Sequence, residues 1–237
     1  MQKQLKILKA LREHVLPARL NRLQQVLQNR TRLIRVVVED LNYERNAGAV
    51  FRSCDCFGIQ DATVIEAEYK KRAAELISKG SDKWLSINQF DKPETDNSLA
   101  CMQYLRTAGY KIVACTPHNA DTLLPNFKIT QKTAILFGNE EDGLTQTVLN
   151  HADMKLKIPI YGFSESYNIS VSAALVLQQV VTALHQSDMN WRLTEEEKIE
   201  LEIEWILKSL GRSGEPILKK ISSDIGIDTN IGGMDIN

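Results

Sequence analysis

The sequence lacks the segments that would place the protein in or across a membrane. Its 237 residues contain no apolar run near the roughly 18 residues that a membrane span needs, and the N-terminus shows no signal-peptide core. We find no internal repeat and no low-complexity block. With 43% hydrophobic residues the chain can bury a sizeable core, so we expect a soluble, cytoplasmic protein of one domain with appendages.

Cysteine is scarce, and its spacing does not suit a metal. The chain has four cysteines at positions that fit no zinc motif: Cys54, Cys56, Cys101 and Cys115. A C-x-C pair alone is weak support for a metal ligand set. We therefore expect reduced, mostly structural thiols and no metal.

The common nucleotide-binding and hydrolase motifs are also missing. Neither G-x-G-x-x-G nor G-x-x-x-x-G-K-[ST] occurs, which removes sequence support for a Rossmann dinucleotide site or a P-loop. The stretch "GFSES" approaches the G-x-S-x-G nucleophile elbow, but Ser166 occupies the position of its last glycine. Since a strained elbow needs that small residue, Ser164 is not expected to be a nucleophile.

Charge is distributed unevenly along a chain whose net charge is -1. Residues 1–35 hold nine Lys or Arg and the single acid Glu13, a local +8 (nine minus one), which leaves -9 for the rest. A basic arm favours a polyanion such as RNA. A solvated helix face explains it equally well, because apolar residues follow helical spacing at Leu5, Leu8, Leu11, Val15, Leu20, Leu23 and Val26.

Apolar runs that alternate with helical patterns predict an α/β fold with a mostly parallel sheet. "RLIRVVVEDL" reads as a buried strand, and further runs occur in "ATVIEAEY", "KWLSINQF", "KIVACT", "TAILFG" and "MKLKIPI". Helical patterns lie around residues 99–107, 144–150 and 166–186. Strands as continuously apolar as 134–137 predict burial on both faces, which places ligands at the carboxyl ends of the strands.

The C-terminal part predicts a helical appendage followed by a loose end. Thr194 and Glu197 form a capping box for an acidic helix. From Gly211 onward the sequence shows little periodicity, so we expect a loose tail there.

Two loops beside predicted strands carry candidate functional residues. In "NYERNAGAVFRSCDCFGI" small residues follow Asn46, and Arg52 lies about one and a half helical turns further on, where it needs a partner or a ligand. In "ILFGNEEDGLT" a strand stops at Gly138, and Glu140 begins a run of three acids. That run could bind a metal, hold an arginine or lie in solvent.

A third loop, "SESYNISVSAALVL", begins with hydroxyls and an amide and continues as an apolar helix. Ser164, Ser166, Asn168 and Ser170 are more polar residues than an N-cap needs. The surplus favours a helix N-terminus that holds a polar or anionic ligand, and capping alone is the alternative.

Taken in order, the three loops resemble the three motifs of the SpoU class of SPOUT RNA methyltransferases, most closely its TrmH type. The matching residues are Asn46 and Arg52, then "LFGNE", then "IPIYGFSESYNISVSAAL". The resemblance spans about residues 32–186 and depends on three ordered motifs, which are more specific together than singly. It implies a C-terminal trefoil knot, an exception among folds that spacing cannot reveal.

The resemblance also implies catalytic roles at the matching positions. Asn46 orients Arg52, Arg52 acts at the ribose hydroxyl, Glu140 supports the site, and Ser166 and Asn168 contact the substrate. Because a guanidinium rarely gives up its proton, Arg52 could instead clamp a phosphate and stabilise a developing alkoxide.

S-adenosylmethionine is the cofactor that the resemblance implies. Its binding would involve backbone near six residues: Cys115, Thr116, Gly138, Ile158, Ile160 and Tyr167. At the position of Tyr167 the family commonly has Leu. An aromatic ring could serve for packing at that position.

The resulting prediction is a homodimeric tRNA ribose 2′-O-methyltransferase that acts on the D-loop guanosine. Residues 1–31 form a basic helical arm, 32–187 the catalytic domain, and 188–237 a helical extension with a loose tail. The short segment before the first strand favours tRNA over ribosomal RNA. The alternatives are ribosomal RNA as substrate, a non-catalytic RNA-binding protein of the same fold, and a small-molecule α/β enzyme that uses the acidic cluster.

Overall fold

The computed structural model describes residues 1–41, 44–67 and 82–226. The chain forms two compact units, one of Thr31–Trp191 and one of Met1–Arg30 with the chain from Arg192 onward. We call them the sheet unit and the helical unit. Asn42 and Tyr43 of the loop "NYERNAGAV" lie outside the described residues, as do Glu68 and Tyr69 at the end of "ATVIEAEY".

The sheet unit contains seven described strands in one sheet, and every described pairing is parallel. The strands are β1 (Thr31–Glu39), β2 (Ile59–Ile65), β3 (Ser86–Phe90), β4 (Lys111–Cys115), β5 (Thr122–Leu123), β6 (Thr133–Phe137) and β7 (Met154–Lys157). Their order across the sheet is β3-β2-β1-β6-β4-β7-β5. The predicted mostly parallel α/β sheet is therefore confirmed, and the trefoil knot stays a prediction.

Helices cover both faces of this sheet, which explains why its strands are apolar on both sides. In the sheet unit these helices are α3 (Glu44–Cys56), α4 (Asn97–Thr107), α5 (Gln146–His151) and α6 (Ile169–His185). Helices α3 and α6 pack together, and their side chains share one buried cluster with Val36 and Val38. Residues of α4 and α5 share the other cluster with Val37 and Leu136. Alternate residues of each strand thus face opposite layers.

The central strands end at one edge of the sheet. Strand β6 lies between β1 and β4, with Val38 paired to Phe137 and Ala114 paired to Leu136. Strand β7 follows on the other side of β4. The loops after β1, β4, β6 and β7 therefore emerge side by side at the carboxyl edge, where a parallel sheet binds ligands.

A buried ion pair joins the strands in the interior. The Arg35 guanidinium lies 3.2 Å from the Asp61 carboxylate, and both side chains are almost fully buried. Tyr110 packs against Arg35, and burial near Asp61 raises the pKa of this tyrosine to about 12. Arg32 also donates to Asp61 at 2.9 Å, so both arginines form ion pairs with this one carboxylate within the sheet unit.

The helical unit contains α1 (Gln2–Arg12), α2 (Pro17–Leu27), α7 (Glu195–Leu210) and α8 (Gly214–Ile225). Pro17 occupies the first turn of α2, a position where its missing N–H costs nothing. The Arg12 guanidinium makes two 2.7 Å hydrogen bonds to the Glu202 carboxylate. Buried Arg30 lies over the Trp205 ring at 5.2 Å. These contacts remove two arginines from the charge that the arm presents to solvent.

Helix α8 corrects the prediction of a loose chain from Gly211. An added Cβ at Gly214 would lie 2.7 Å from the Leu207 carbonyl oxygen, so this glycine permits close packing of α8 on α7. Leu218 and Ile221 form its buried face. Gly232 and Gly233 lie outside the described residues. Within the described ranges, no helix is both long enough and apolar enough to cross a membrane.

Candidate active site

A cavity of about 490 Å³ opens among the loops at the carboxyl edge of the sheet unit. Its volume is in the usual range for a small-molecule site. All six residues that the sequence predicts for the cofactor line it: Cys115, Thr116, Gly138, Ile158, Ile160 and Tyr167. Of the predicted catalytic residues, Glu140 and Ser166 also line this cavity.

The loop after β6, residues 138–144, is closed by its own hydrogen bonds; we call it the β6 loop. The Asn139 N–H donates to the Gly143 carbonyl at 3.1 Å. Its side-chain oxygen accepts from the N–H groups of Glu141 at 2.9 Å and Asp142 at 2.6 Å. Gly143 has a φ of 74°, a conformation that favours glycine.

Gly138 allows this loop to close. A Cβ at this position would lie 2.0 Å from the Gly143 carbonyl carbon and 2.3 Å from the Leu144 nitrogen. Both contacts are to backbone, which cannot move aside as the end of a flexible side chain can. Glycine is therefore required by the close approach of two backbone segments.

A chain of side-chain hydrogen bonds joins three motif loops. The Asn168 amide donates to the Asn46 side-chain oxygen at 3.5 Å. The Asn46 amide in turn donates to the Glu140 carboxylate. Asn46 lies on α3 after β1, Glu140 in the β6 loop, and Asn168 at the start of α6. Residues 122 positions apart in the sequence are thus linked to Glu140, which lines the cavity.

The second oxygen of Glu140 is shielded from solvent and accepts no hydrogen bond from the described residues. A buried carboxylate oxygen without a donor costs free energy. A donor from a bound molecule, a water molecule or another chain would satisfy this atom.

Asn168 is the N-cap of α6, where its oxygen accepts from the Ser170 N–H at 2.9 Å and from the Ser170 hydroxyl at 2.7 Å. The helix begins at Ile169, later than the predicted residue 166. Ser164 and Ser166 precede it and are exposed. Two of the four polar residues thus perform the capping, which leaves two hydroxyls for another role.

Arg52 is exposed on α3 and makes no hydrogen bond or ion pair with another residue of the described ranges. Of the two expectations for this residue, a partner or a ligand, the described residues provide no partner, and the ligand stays a prediction. The reason is geometric, because Phe51 and Cys54 are buried while Arg52 points from the helix toward solvent. Its guanidinium is available to a ligand.

The cavity wall combines apolar and polar groups. Phe137 and Leu156 contribute apolar surface beside the predicted Ile158 and Ile160. Burial raises the pKa of the Cys115 thiol well above its ordinary value, so this thiol stays uncharged at neutral pH.

Sequence reasoning missed the loop after β4 beyond Thr116. His118 and Asn119 line the cavity, and Asn119 adopts a φ of 47°. Their position in the sequence could have identified them, because this segment follows a predicted strand and therefore lies at the carboxyl edge of the sheet. In the described ranges, no three His, Cys, Asp or Glu side chains cluster as a metal site would require.

The model of the SpoU rRNA methylase family matches residues 33–178. A tRNA (guanosine(18)-2′-O)-methyltransferase of Borreliella burgdorferi is 35% identical over 184 residues, which cover 78% of this chain and 82% of that protein. A protein of the same name from Aquifex aeolicus is 31% identical over 186 residues, covering 77% of this chain and 86% of that protein.

The fold has a solved counterpart of similar extent. The crystal structure of the A. aeolicus TrmH/SpoU tRNA modifying enzyme superposes with a TM-score of 0.66 at 28% identity. The match covers 89% of this chain and 98% of that chain. The likeness therefore extends well beyond the three motif loops.

Gly138→Ala tests the role of the β6 loop in shaping the cavity. The new methyl group must displace Gly143 or Leu144, so we expect affinity for S-adenosylhomocysteine, the product form of the cofactor implied by the resemblance, to fall at least about tenfold. Calorimetric titration measures it.

Gly48→Ala is the matched control, because no atom lies within 4 Å of its added Cβ and its φ is not positive. We expect this variant to keep its affinity and to melt no lower than the wild type, since alanine favours a helix. Equal affinities for Gly138→Ala and the wild type would contradict the account of the loop.

Proposed function

The chain belongs to the SpoU rRNA methylase family, and we propose that it transfers a methyl group from S-adenosylmethionine to the ribose 2′-hydroxyl of the D-loop guanosine, position 18, of tRNA. The observation that carries this proposal is that two of the three motif loops line one cavity, and that the third, on α3, is joined to them by the hydrogen bonds among Asn46, Glu140 and Asn168. The printed names of the relatives from B. burgdorferi and A. aeolicus support the choice of nucleotide.

The cavity suits the proposed cofactor. When bound, S-adenosylmethionine would supply a methyl group attached to a sulfonium sulfur. An oxygen nucleophile can attack the carbon of that methyl group, and the neutral thioether is the leaving group. Gly138 brings backbone to the cavity wall, and Ile158, Ile160 and Tyr167 offer apolar or aromatic surface for a heterocycle. The unpaired oxygen of Glu140 gives a ligand donor a place to bind.

In the proposed mechanism, Arg52 holds the substrate at the reacting oxygen. Its planar guanidinium can contact a ribose oxygen and an adjacent phosphate together, and it stabilises the charge that develops as the 2′-oxygen loses its proton. Asn46 and Glu140 fix the position of α3 relative to the cavity. Ser166 and Asn168 contact the RNA from the start of α6.

The proposal assigns the predicted domains separate roles. Residues 32–187 carry the chemistry, 1–31 attract RNA, and 188–237 form the helical extension. Five cations of α1 and α2 have exposed side chains and supply RNA-facing charge in this proposal: Lys3, Lys6, Lys9, Arg19 and Arg22.

A homodimer is part of the proposal. On α6 the side chains of Val171 and Leu175 are 44% and 39% exposed. They are four residues apart and share one face of the helix, which a second copy could cover. A partner beside α6 would also lie near Asn168 at its first turn.

Ribosomal RNA is the alternative substrate, because the description of the matching family names it. The fold and the chemistry of the site serve both RNAs equally. The curated relatives cited above favour tRNA by name.

Arg52→Lys tests the proposed mechanism, because it keeps the charge and loses the planar fork. We expect single-turnover methylation of tRNA at saturating S-adenosylmethionine to slow at least about a hundredfold, roughly 2.7 kcal/mol of transition-state stabilisation. Folding should survive, since the residue is exposed.

Arg45→Lys, an exposed arginine of the same helix, is the control and should methylate at close to the wild-type rate. Thermal melts of both variants separate a lost role from a lost fold. Near-normal turnover by Arg52→Lys would remove Arg52 from the centre of the site.

Replacing the five exposed arm cations with Gln tests RNA binding by the helical unit. If each contacts a phosphate, the slope of log affinity for tRNA against log salt should become shallower by up to about 4. Affinity for S-adenosylhomocysteine should stay unchanged. An unchanged slope would mean that the arm is only a packing element.

The pair of substitutions Val171→Asp and Leu175→Asp tests the dimer. We expect the wild type to have the mass of two chains by light scattering at micromolar concentration, and the double variant to have the mass of one. Leu16→Asp, at a side chain that is 77% exposed on the helical unit, should leave the mass unchanged. A monomeric wild type would contradict the proposal.

A further inference from the structure

A buried carboxylate connects the first strand to the end of the β6 loop. Glu39, the last residue of β1, is 1% exposed. Its carboxylate accepts from the Thr145 N–H at 2.8 Å, from the Thr145 hydroxyl at 2.8 Å and from the Ser98 hydroxyl. Neither Glu39 nor Thr145 is among the site residues that the sequence predicts.

Thr145 directly follows the β6 loop and is the N-cap of α5. The loop contains Gly138 and Glu140, and its internal hydrogen bonds run from Asn139 to Gly143. Two side chains from other elements hold it: Asn46 binds Glu140, and Glu39 binds Thr145. These two anchors lie toward opposite ends of the loop.

Capping alone does not require a buried charge at this position. The Thr145 hydroxyl is itself the cap, with a contact of 3.4 Å from the Val148 N–H. Burial raises the pKa of Glu39 and opposes its ionised form, while the hydrogen bonds from Ser98 and Thr145 favour that form. A buried ionic group contributes little net free energy to folding, because removing it from water is costly. Its role is better explained if it fixes the position of the groups that bind it.

We infer that Glu39 and Thr145 are a pair of positioning residues that hold the carboxyl end of the β6 loop in register with β1, and thereby set the cavity wall at Gly138 and Glu140. The inference rests on the proposed function in one respect, because the ligand that contacts this part of the cavity wall is taken to be S-adenosylmethionine.

Thr145→Val tests the inference, since it keeps the shape and removes the hydroxyl. Two readouts are measured in the ligand-free and liganded protein. Hydrogen–deuterium exchange of residues 138–144 without ligand should become faster, because the anchor to Glu39 loses its side-chain hydrogen bond and keeps only the one from the backbone N–H. The dissociation constant of S-adenosylhomocysteine should rise about tenfold, the equivalent of about 1.4 kcal/mol.

Thr63→Val is the matched control. Thr63 is fully buried on β2 and accepts from the Arg35 guanidinium at 2.9 Å, so the same substitution breaks a buried hydrogen bond away from the β6 loop. It should lower the melting temperature and leave both readouts unchanged. Thr145→Ser, which restores a hydroxyl, should return both readouts close to the wild-type values.

Glu39→Gln provides a second variant if Thr145→Val does not fold. A neutral amide has one acceptor oxygen where the carboxylate has two, so exchange of residues 138–144 should again become faster. Unchanged exchange in the folded variants would overturn the inference, whatever happens to ligand binding. Faster exchange in a protein whose wild type binds no S-adenosylhomocysteine would support the positioning pair and refute the proposed cofactor.

Discussion

The candidate site depends on the close approach of Gly138 to the backbone of Gly143 and Leu144. Because the β6 loop folds back at this distance, Glu140 is directed toward α3 and accepts from Asn46, which in turn accepts from Asn168. Any side chain at position 138 would displace this loop. The arrangement of α3, the β6 loop and the start of α6 thus follows from one position that excludes a Cβ.

Two charged side chains of the candidate site have groups without a partner among the described residues. One Glu140 oxygen is buried without a donor from the described residues, and Arg52 is exposed without an acceptor among them. An unpaired buried acceptor is unfavourable, whereas an exposed guanidinium is well solvated. An RNA substrate would change both environments, since it carries ribose hydroxyls as donors and phosphates as acceptors.

Periodicity was sufficient to predict the parallel sheet and the loops at its carboxyl edge, and the resemblance of three ordered motifs implied six cofactor-binding positions, all of which line the cavity. They failed where the outcome depends on partners distant in the sequence. Counting charge could not reveal that Arg12 pairs with Glu202 or that Arg30 lies over Trp205. Nothing in the strand pattern of "RLIRVVVEDL" indicates the contact between Glu39 and Thr145, which are 106 positions apart. The low periodicity from Gly211 onward predicts a loose tail, whereas Gly214 permits close packing of one helix on another.

The most direct measurement of the central claim maps the methyl group on the RNA. Unmodified tRNA and ribosomal RNA would each be incubated with the protein and isotopically labelled S-adenosylmethionine, then digested and examined by mass spectrometry. The account predicts label on the ribose of one guanosine in the tRNA D-loop and none on ribosomal RNA. Label on a base, label only on ribosomal RNA, or no label on either RNA would contradict it.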